Sequence, residues 1–257
     1  MMTTVICVVA LLASALTLFS GFGLGTLLLP AFAIFFPVEL AVAMTAVVHF
    51  ANNLFKLALV GRHADRGVVL RFGLPAVAAA YAGAWLLGRL AHLPPWLVYD
   101  FAGRSLAVVP VKAVVGVLLL FFTVTEALPG AKAPAFDARW LPVGGVLSGF
   151  FGGLSGNQGA LRSVFLVKGG LTKEAFIGTG VVIACLVDAT RLGLYARNLA
   201  AAAGRLDWPL LATATGAAFA GAYGGSKLLR KTTLAGIQRL VGALMFFVAL
   251  GLVSGLL

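Results

Sequence analysis

Gly21-Phe22-Gly23-Leu24-Gly25-Thr26-Leu27-Leu28-Leu29-Pro30 interrupts an apolar run that spans residues 3–36. One membrane crossing takes about 20 apolar residues, so the run is too long for a single span. Glycine costs roughly 1 kcal/mol in a helix interior, and three at alternate positions mark a real break. Backbone N–H groups freed in hydrocarbon are tolerated only where they line a cavity or are buried in protein. A helix that restarts after the break aims such groups outward from the positive end of its dipole, which suits an anion. Gly23, Gly25 and Thr26 are the candidate residues there. Close helix packing through small residues is the competing reading. A nucleotide-binding glycine loop fails, because no strand precedes the glycines.

The rest of the chain sets the context. It has 257 residues, 61% hydrophobic and 11% charged, with a mean hydropathy of +1.05. A soluble domain carries about 25% charged residues. This composition excludes an ordinary cytosolic enzyme, a disordered chain and a collagen-like repeat. One integral membrane domain over residues 1–257 is expected, all-α, with about eight helical segments. The chain enters an apolar run without a basic leader, so Met1 is read as the start of the mature protein.

The net charge is +11. Much of it lies in short loops, as at Arg62, Arg66 and Arg71 or Lys227, Arg230 and Lys231. Such clusters signal topology. Nucleic-acid binding would need a solvated basic face that the chain has little mass to build. Cys7 and Cys185 each sit alone in apolar runs, with neither metal spacing nor a disulfide framework. No cofactor or metal is expected.

Pro37 ends the broken segment, and helices are expected over residues 38–60, 68–90 and 106–124. Between the last two, Pro94-Pro95-Trp96-Leu97-Val98-Tyr99 suits a membrane interface. The loop 126–139 divides the chain almost evenly. A second broken segment follows over 141–167, with glycines at 144, 145, 149, 152, 153, 156 and 159. Helices are expected after it at 172–196, 208–230 and 234–256. Counting from Glu39 and Glu174, Asn53 aligns with Asp188 and Lys56 with Arg191. Ala82-Gly83-Ala84-Trp85 likewise aligns with Ala220-Gly221-Ala222-Tyr223. Two repeats, 1–125 and 140–257, each opened by a glycine break, point to a transporter with its site at the breaks. Parallel and inverted repeats both remain open. The choice depends on whether each broken segment crosses once or folds back as a re-entrant pair.

Three constellations carry candidate chemistry. The second break, Gly152 to Ser163, offers Ser155, Gly156, Asn157 and Gln158 as donors and Arg162 as a cation. Arginine grips oxyanions bidentately, while the bland alternative lets Arg162 snorkel to an interface. His49, Asn52, Asn53 and Lys56 share one helical face by their i, i+3, i+4, i+7 spacing. A polar stripe on an apolar helix faces protein or water, as a substrate path or as interhelical glue. A weaker stripe holds Thr179, Asp188 and Arg191, the last two spaced to neutralise each other.

These residues resemble the sulfite exporter family, TauE/SafE, of the wider toluene-sulfonate uptake permease superfamily. The resemblance covers essentially the whole chain, and Gly21–Pro30 is similar to the family's Gly-x-Gly-x-Gly-x(4)-Pro opening. The second break departs from it, with Asn157-Gln158-Gly159 where glycines are usual and no proline after. The resemblance implies movement of sulfite, sulfonates or related sulfur-containing anions across the cytoplasmic membrane, with export the expected direction.

Other classes fit parts of the pattern. His49-x-x-x-Asn53 with Gly153-Leu154-Ser155-Gly156 is similar to a rhomboid intramembrane protease. That chemistry needs a histidine base after the serine in the chain, whereas His49, His63 and His92 all precede Ser155. A cation transporter, or a proton-coupled carrier of another small solute, is the nearer rival, since Asp188 or His49 can carry a proton. One deep acid against Lys56, Arg162 and Arg191 favours an anion. The expectation is therefore a multi-pass cell-membrane transporter, not an enzyme. It takes a small anionic substrate by alternating access, with a proton or sodium as a candidate coupling ion and a homo-oligomer as a candidate assembly.

Overall fold

The computed structural model describes residues 1–20, 24–101, 103–127, 136–167, 170–201, 207–228 and 235–257. Ten helices lie in these residues. They are α1 (Met2–Ser20), α2 (Leu24–Ala33), α3 (Val38–Val60) and α4 (Arg66–Leu90), then α5 (Pro110–Ala127). After the connection come α6 (Leu141–Ser155), α7 (Gly159–Leu166), α8 (Lys173–Ala201), α9 (Trp208–Leu228) and α10 (Ala235–Ser254). Among the described residues, Val38–His63, Arg66–Leu90 and Lys173–Ala196 are long and apolar enough to cross a membrane.

Local chemistry sets the helix starts. Asp65 Oδ1 accepts from Val68 N at 2.8 Å, and Asp207 Oδ1 from Leu210 N at 2.9 Å. Thr172 Oγ1 accepts from Ala175 N at 3.2 Å. Each such cap is worth about 1 kcal/mol. Inside α4, Pro75 lacks an N–H, and a π-helical turn over Val69–Gly73 precedes it. That turn absorbs the missing bond without ending the helix.

The all-α expectation needs one amendment. Residues 97–108 form an antiparallel hairpin, β1 (Leu97–Phe101) and β2 (Arg104–Val108), paired from Leu97↔Val108 to Phe101↔Arg104. The helix expected from 106 starts at Pro110 instead. Gly103, at φ 74°, takes the left-handed turn that reverses the chain. Tyr99 pins the hairpin by donating its hydroxyl to Ser254 O at 2.6 Å, at the end of α10.

The dominant packing crosses the middle of the chain. α1 lies along α9 and α6 along α4, while α3 meets α8 and α5 meets α10. Glycine makes two of these contacts possible. A Cβ on Gly145, Gly149 or Gly153 of α6 would lie 2.2, 2.1 or 2.1 Å from the carbonyl oxygens of Phe72, Ala76 and Ala80 on α4. Gly221 on α9 stands in the same relation to Leu11 O of α1, at 2.1 Å. Glycines 144, 145, 149, 152 and 153 are therefore not part of a break, as the composition of 141–167 suggested. They lie within the helix α6, because the close approach of the α4 backbone and of the Phe165 and Gln158 side chains outweighs their helix cost.

The break itself is Gly156-Asn157-Gln158. Gly156 caps α6 at φ 82°, donating its N–H to Gly152 O at 2.9 Å. The chain then reverses. A Cβ on Gly144, in the first turn of α6, would lie 2.4 Å from the Phe165 ring near the end of α7. Two helices whose far ends touch run antiparallel, so α6 and α7 form a hairpin. Phe165 also stacks on Phe136, with centroids 4.5 Å apart.

Candidate functional site

Asp188, at mid-α8, is wholly buried and is the hub of a polar cluster. Its Oδ2 lies 2.6 Å from His49 Nδ1 and accepts from Asn53 Nδ2 at 3.1 Å. Its Oδ1 accepts from Arg191 Nε at 3.0 Å and Gln158 Nε2 at 3.1 Å, and lies 2.8 Å from Arg191 Nη2. Three elements thus converge on one carboxylate: α3, α8 and the break before α7. An ionised carboxylate accepts only, so the short contact places a proton on His49 Nδ1. Arg191 is wholly buried as well, and its Nη1 reaches Gly152 O at 3.4 Å.

Gln158 connects this hub to Arg162. Asp188 fixes the amide with its nitrogen inward, so Oε1 faces out and accepts from Arg162 Nη1 at 3.3 Å. Ser148 Oγ donates to the Gln158 carbonyl at 2.9 Å, which ties the break to α6. Arg162 crosses to α8, where a Cβ on Gly180 would sit 3.4 Å from its Nε. Among the described residues it forms no ion pair.

The two broken segments touch here. A Cβ on Gly25, in the first turn of α2, would lie 3.1 Å from Gly156 O and 3.6 Å from Thr45 Cγ2. Beside this contact, Thr45 Oγ1 and both Asn157 amide atoms are buried with no hydrogen-bond partner among the described residues. A buried polar group left so costs about 1–3 kcal/mol. Gly23 lies outside the described residues, and Thr26 is placed in α2 by its backbone alone.

The stripe on α3 divides between two neighbours. His49 and Asn53 face α8, as above. Asn52 faces α1 and α9. With its amide turned to satisfy both ends, Oδ1 accepts from Lys56 Nζ at 3.2 Å and Ser14 Oγ at 3.1 Å, and Nδ2 donates to Ala218 O at 3.3 Å. Geometrically, Asn52 joins three helices. Ser155 donates its hydroxyl to Phe151 O at 3.1 Å, on its own helix. His49 meets Asp188 and Asn53 rather than Ser155, so the serine–histidine pair of a protease is not assembled. Among the described residues, no group of three or more His, Cys, Asp or Glu side chains gathers to hold a metal.

Sequence reading missed Thr45, Ser148 and Tyr195. Thr45 stands four residues before His49, and Tyr195 four after Arg191, so helical spacing alone places both on the site face. Tyr195 donates to the Gly153 carbonyl and steadies the end of α6. Ser148 carries no such signal, since its partner is a backbone carbonyl across the hairpin.

A bundle of apolar helices, with a buried charge cluster where two interrupted segments meet, defines a helical membrane protein of the transporter class. The chain belongs to the sulfite exporter TauE/SafE family, whose model matches residues 6–252. No curated protein and no solved structure matches it.

Proposed function

We propose that the chain is a multi-pass secondary transporter of the cell membrane that exports a small sulfur-containing oxyanion, sulfite or an organosulfonate. The observation that carries this reading is the meeting of Gly25 with Gly156, two residues before Gln158, whose Oε1 accepts from Arg162, a guanidinium with no carboxylate partner among the described residues. Backbone N–H groups at the start of α2 and that of Asn157 in the break bind the anion's oxygens, those of Gly156 and Gln158 being donated to Gly152 O and Gly156 O. Gly23, outside the described residues, and Thr26 are the candidates that the sequence offers for the first of these sets. Arg162 supplies the charge. Arg191 and Asp188 neutralise each other and hold Gln158, and through it Arg162, in place. Lys56, within electrostatic reach of Arg162, adds positive potential from α3.

The repeats 1–125 and 140–257 are related by an approximate two-fold axis in this reading. Its support is that Asn53 and Asp188, aligned positions, bond each other. Under a two-fold, a residue meets its own counterpart only on the axis. Exchange of α1 onto α9 and of α6 onto α4 follows the same symmetry. Each sequence half is thereby split between two packed units. The bodies that rock in alternating access are the pairs α1–α9 and α4–α6, not the sequence halves. Coupling to a proton is a second reading, favoured by the His49–Asp188 contact at 2.6 Å.

Detergent-purified protein should be stabilised against heat by sulfite, thiosulfate or sulfoacetate, since a ligand at a hundred times its Kd adds about 2.7 kcal/mol. Liposomes containing it should release loaded sulfite, and faster under a proton gradient if the second reading holds. Absence of both stabilisation and release for every sulfur anion would refute the function.

A further inference from the structure

We infer that the preferred ligand is an anion that also carries a hydroxyl donor, such as hydrogensulfite or a hydroxyalkylsulfonate. This rests on the oxyanion reading above and narrows it. Asn157 is 2% exposed, and neither its Oδ1 nor its Nδ2 has a partner among the described residues. An amide is at once a donor and an acceptor. A ligand made only of acceptors, such as sulfate, the sulfite dianion or an alkylsulfonate, satisfies Nδ2 and brings a lone pair toward Oδ1. Turning the amide over only exchanges which atom is left unmet. An O–H on the ligand satisfies both ends together. Thr45, 1% exposed and also without a hydroxyl partner among the described residues, donates or accepts as required and so does not discriminate.

The charges agree that the ligand is an anion. Asp188 lies 2.8 Å from Arg191, so that guanidinium already has its counter-ion. Gln158 Oε1 offers Arg162 a neutral oxygen, not a charge. Lys56 Nζ meets Asn52 Oδ1 at 3.2 Å and lies within electrostatic reach of Arg162. At the break these two cations favour an anion.

Isethionate and n-propanesulfonate test the inference, because they share charge and size and differ by a hydroxyl in place of a methyl. Binding of each to the purified full chain is measured by calorimetry. Isethionate should bind at least about tenfold more tightly, since a site with buried polar groups rejects a ligand that leaves them unpaired. Asn157→Leu should erase that preference while still binding n-propanesulfonate. Equal affinity of the unmodified protein for the two anions overturns the inference, as does an unchanged preference in folded Asn157→Leu. Either result leaves the transporter reading standing. Binding of no sulfur anion at all overturns both. The comparison on the unmodified protein decides the matter even where the variant does not fold.

Discussion

Asp188→Asn is the most searching single change. It keeps the shape of the side chain and removes its charge. Arg191, wholly buried, then loses the counter-ion that stands 2.8 Å from its Nη2. His49 and Asn53 meet Oδ2 while Arg191 and Gln158 meet Oδ1. An amide nitrogen at the Oδ1 position confronts two donors, and one at the Oδ2 position confronts Asn53 Nδ2 and forces His49 to move its proton to Nε2. Removing one partner of a buried pair typically costs about 3–5 kcal/mol, and the misplaced nitrogen is part of that figure. The companion variant Asp188→Asn with Arg191→Met removes the stranded cation, so it should recover about 2 kcal/mol of the loss. Equilibrium unfolding of the purified protein in mixed micelles measures both. A single variant within about 0.5 kcal/mol of the unmodified protein, the usual range of an inconsequential surface change, refutes the hub. So does a double variant no more stable than the single one.

Arg162→Gln should weaken anion binding by about 2–5 kcal/mol, a thirtyfold loss or more, and Arg162→Lys should recover only part of it by calorimetry. Full recovery by lysine would return Arg162 to an interfacial role. Gly149→Ala and Gly221→Ala should each destabilise by about 1–3 kcal/mol, since each new methyl would lie 2.1 Å from a carbonyl oxygen of the facing helix. Gly193→Ala, with nothing within 4 Å, should be neutral or stabilising by up to about 1 kcal/mol in the same unfolding assay. Tyr99→Phe should cost about 1 kcal/mol by loss of the bond to Ser254 O, and should raise amide exchange in the hairpin.

Some of this was legible in the one-dimensional string, for a definite reason. Composition reports the solvent, so 61% hydrophobic residues were enough for a membrane domain. Helical period reports faces, so His49, Asn53, Asp188 and Arg191 could be assigned to inward-facing stripes before any contact was known. Glycine was ambiguous, because a broken helix and a close helix contact call for the same residue. Gly156 takes a left-handed cap, whereas Gly149 lies inside a helix against Ala76, 73 residues earlier in the chain. Only the facing backbone separates the two roles. The hairpin at 97–108 was hidden similarly, since its anchor on Ser254 O is a contact across most of the chain. The division of the α3 stripe, with Asn53 toward Asp188 and its neighbour Asn52 toward Ser14 and Ala218, depends on which helices flank it. Periodicity shows that a face is polar. Which partner satisfies each group on that face is decided by packing, because hydrogen-bond directions are set by the elements that come to surround it.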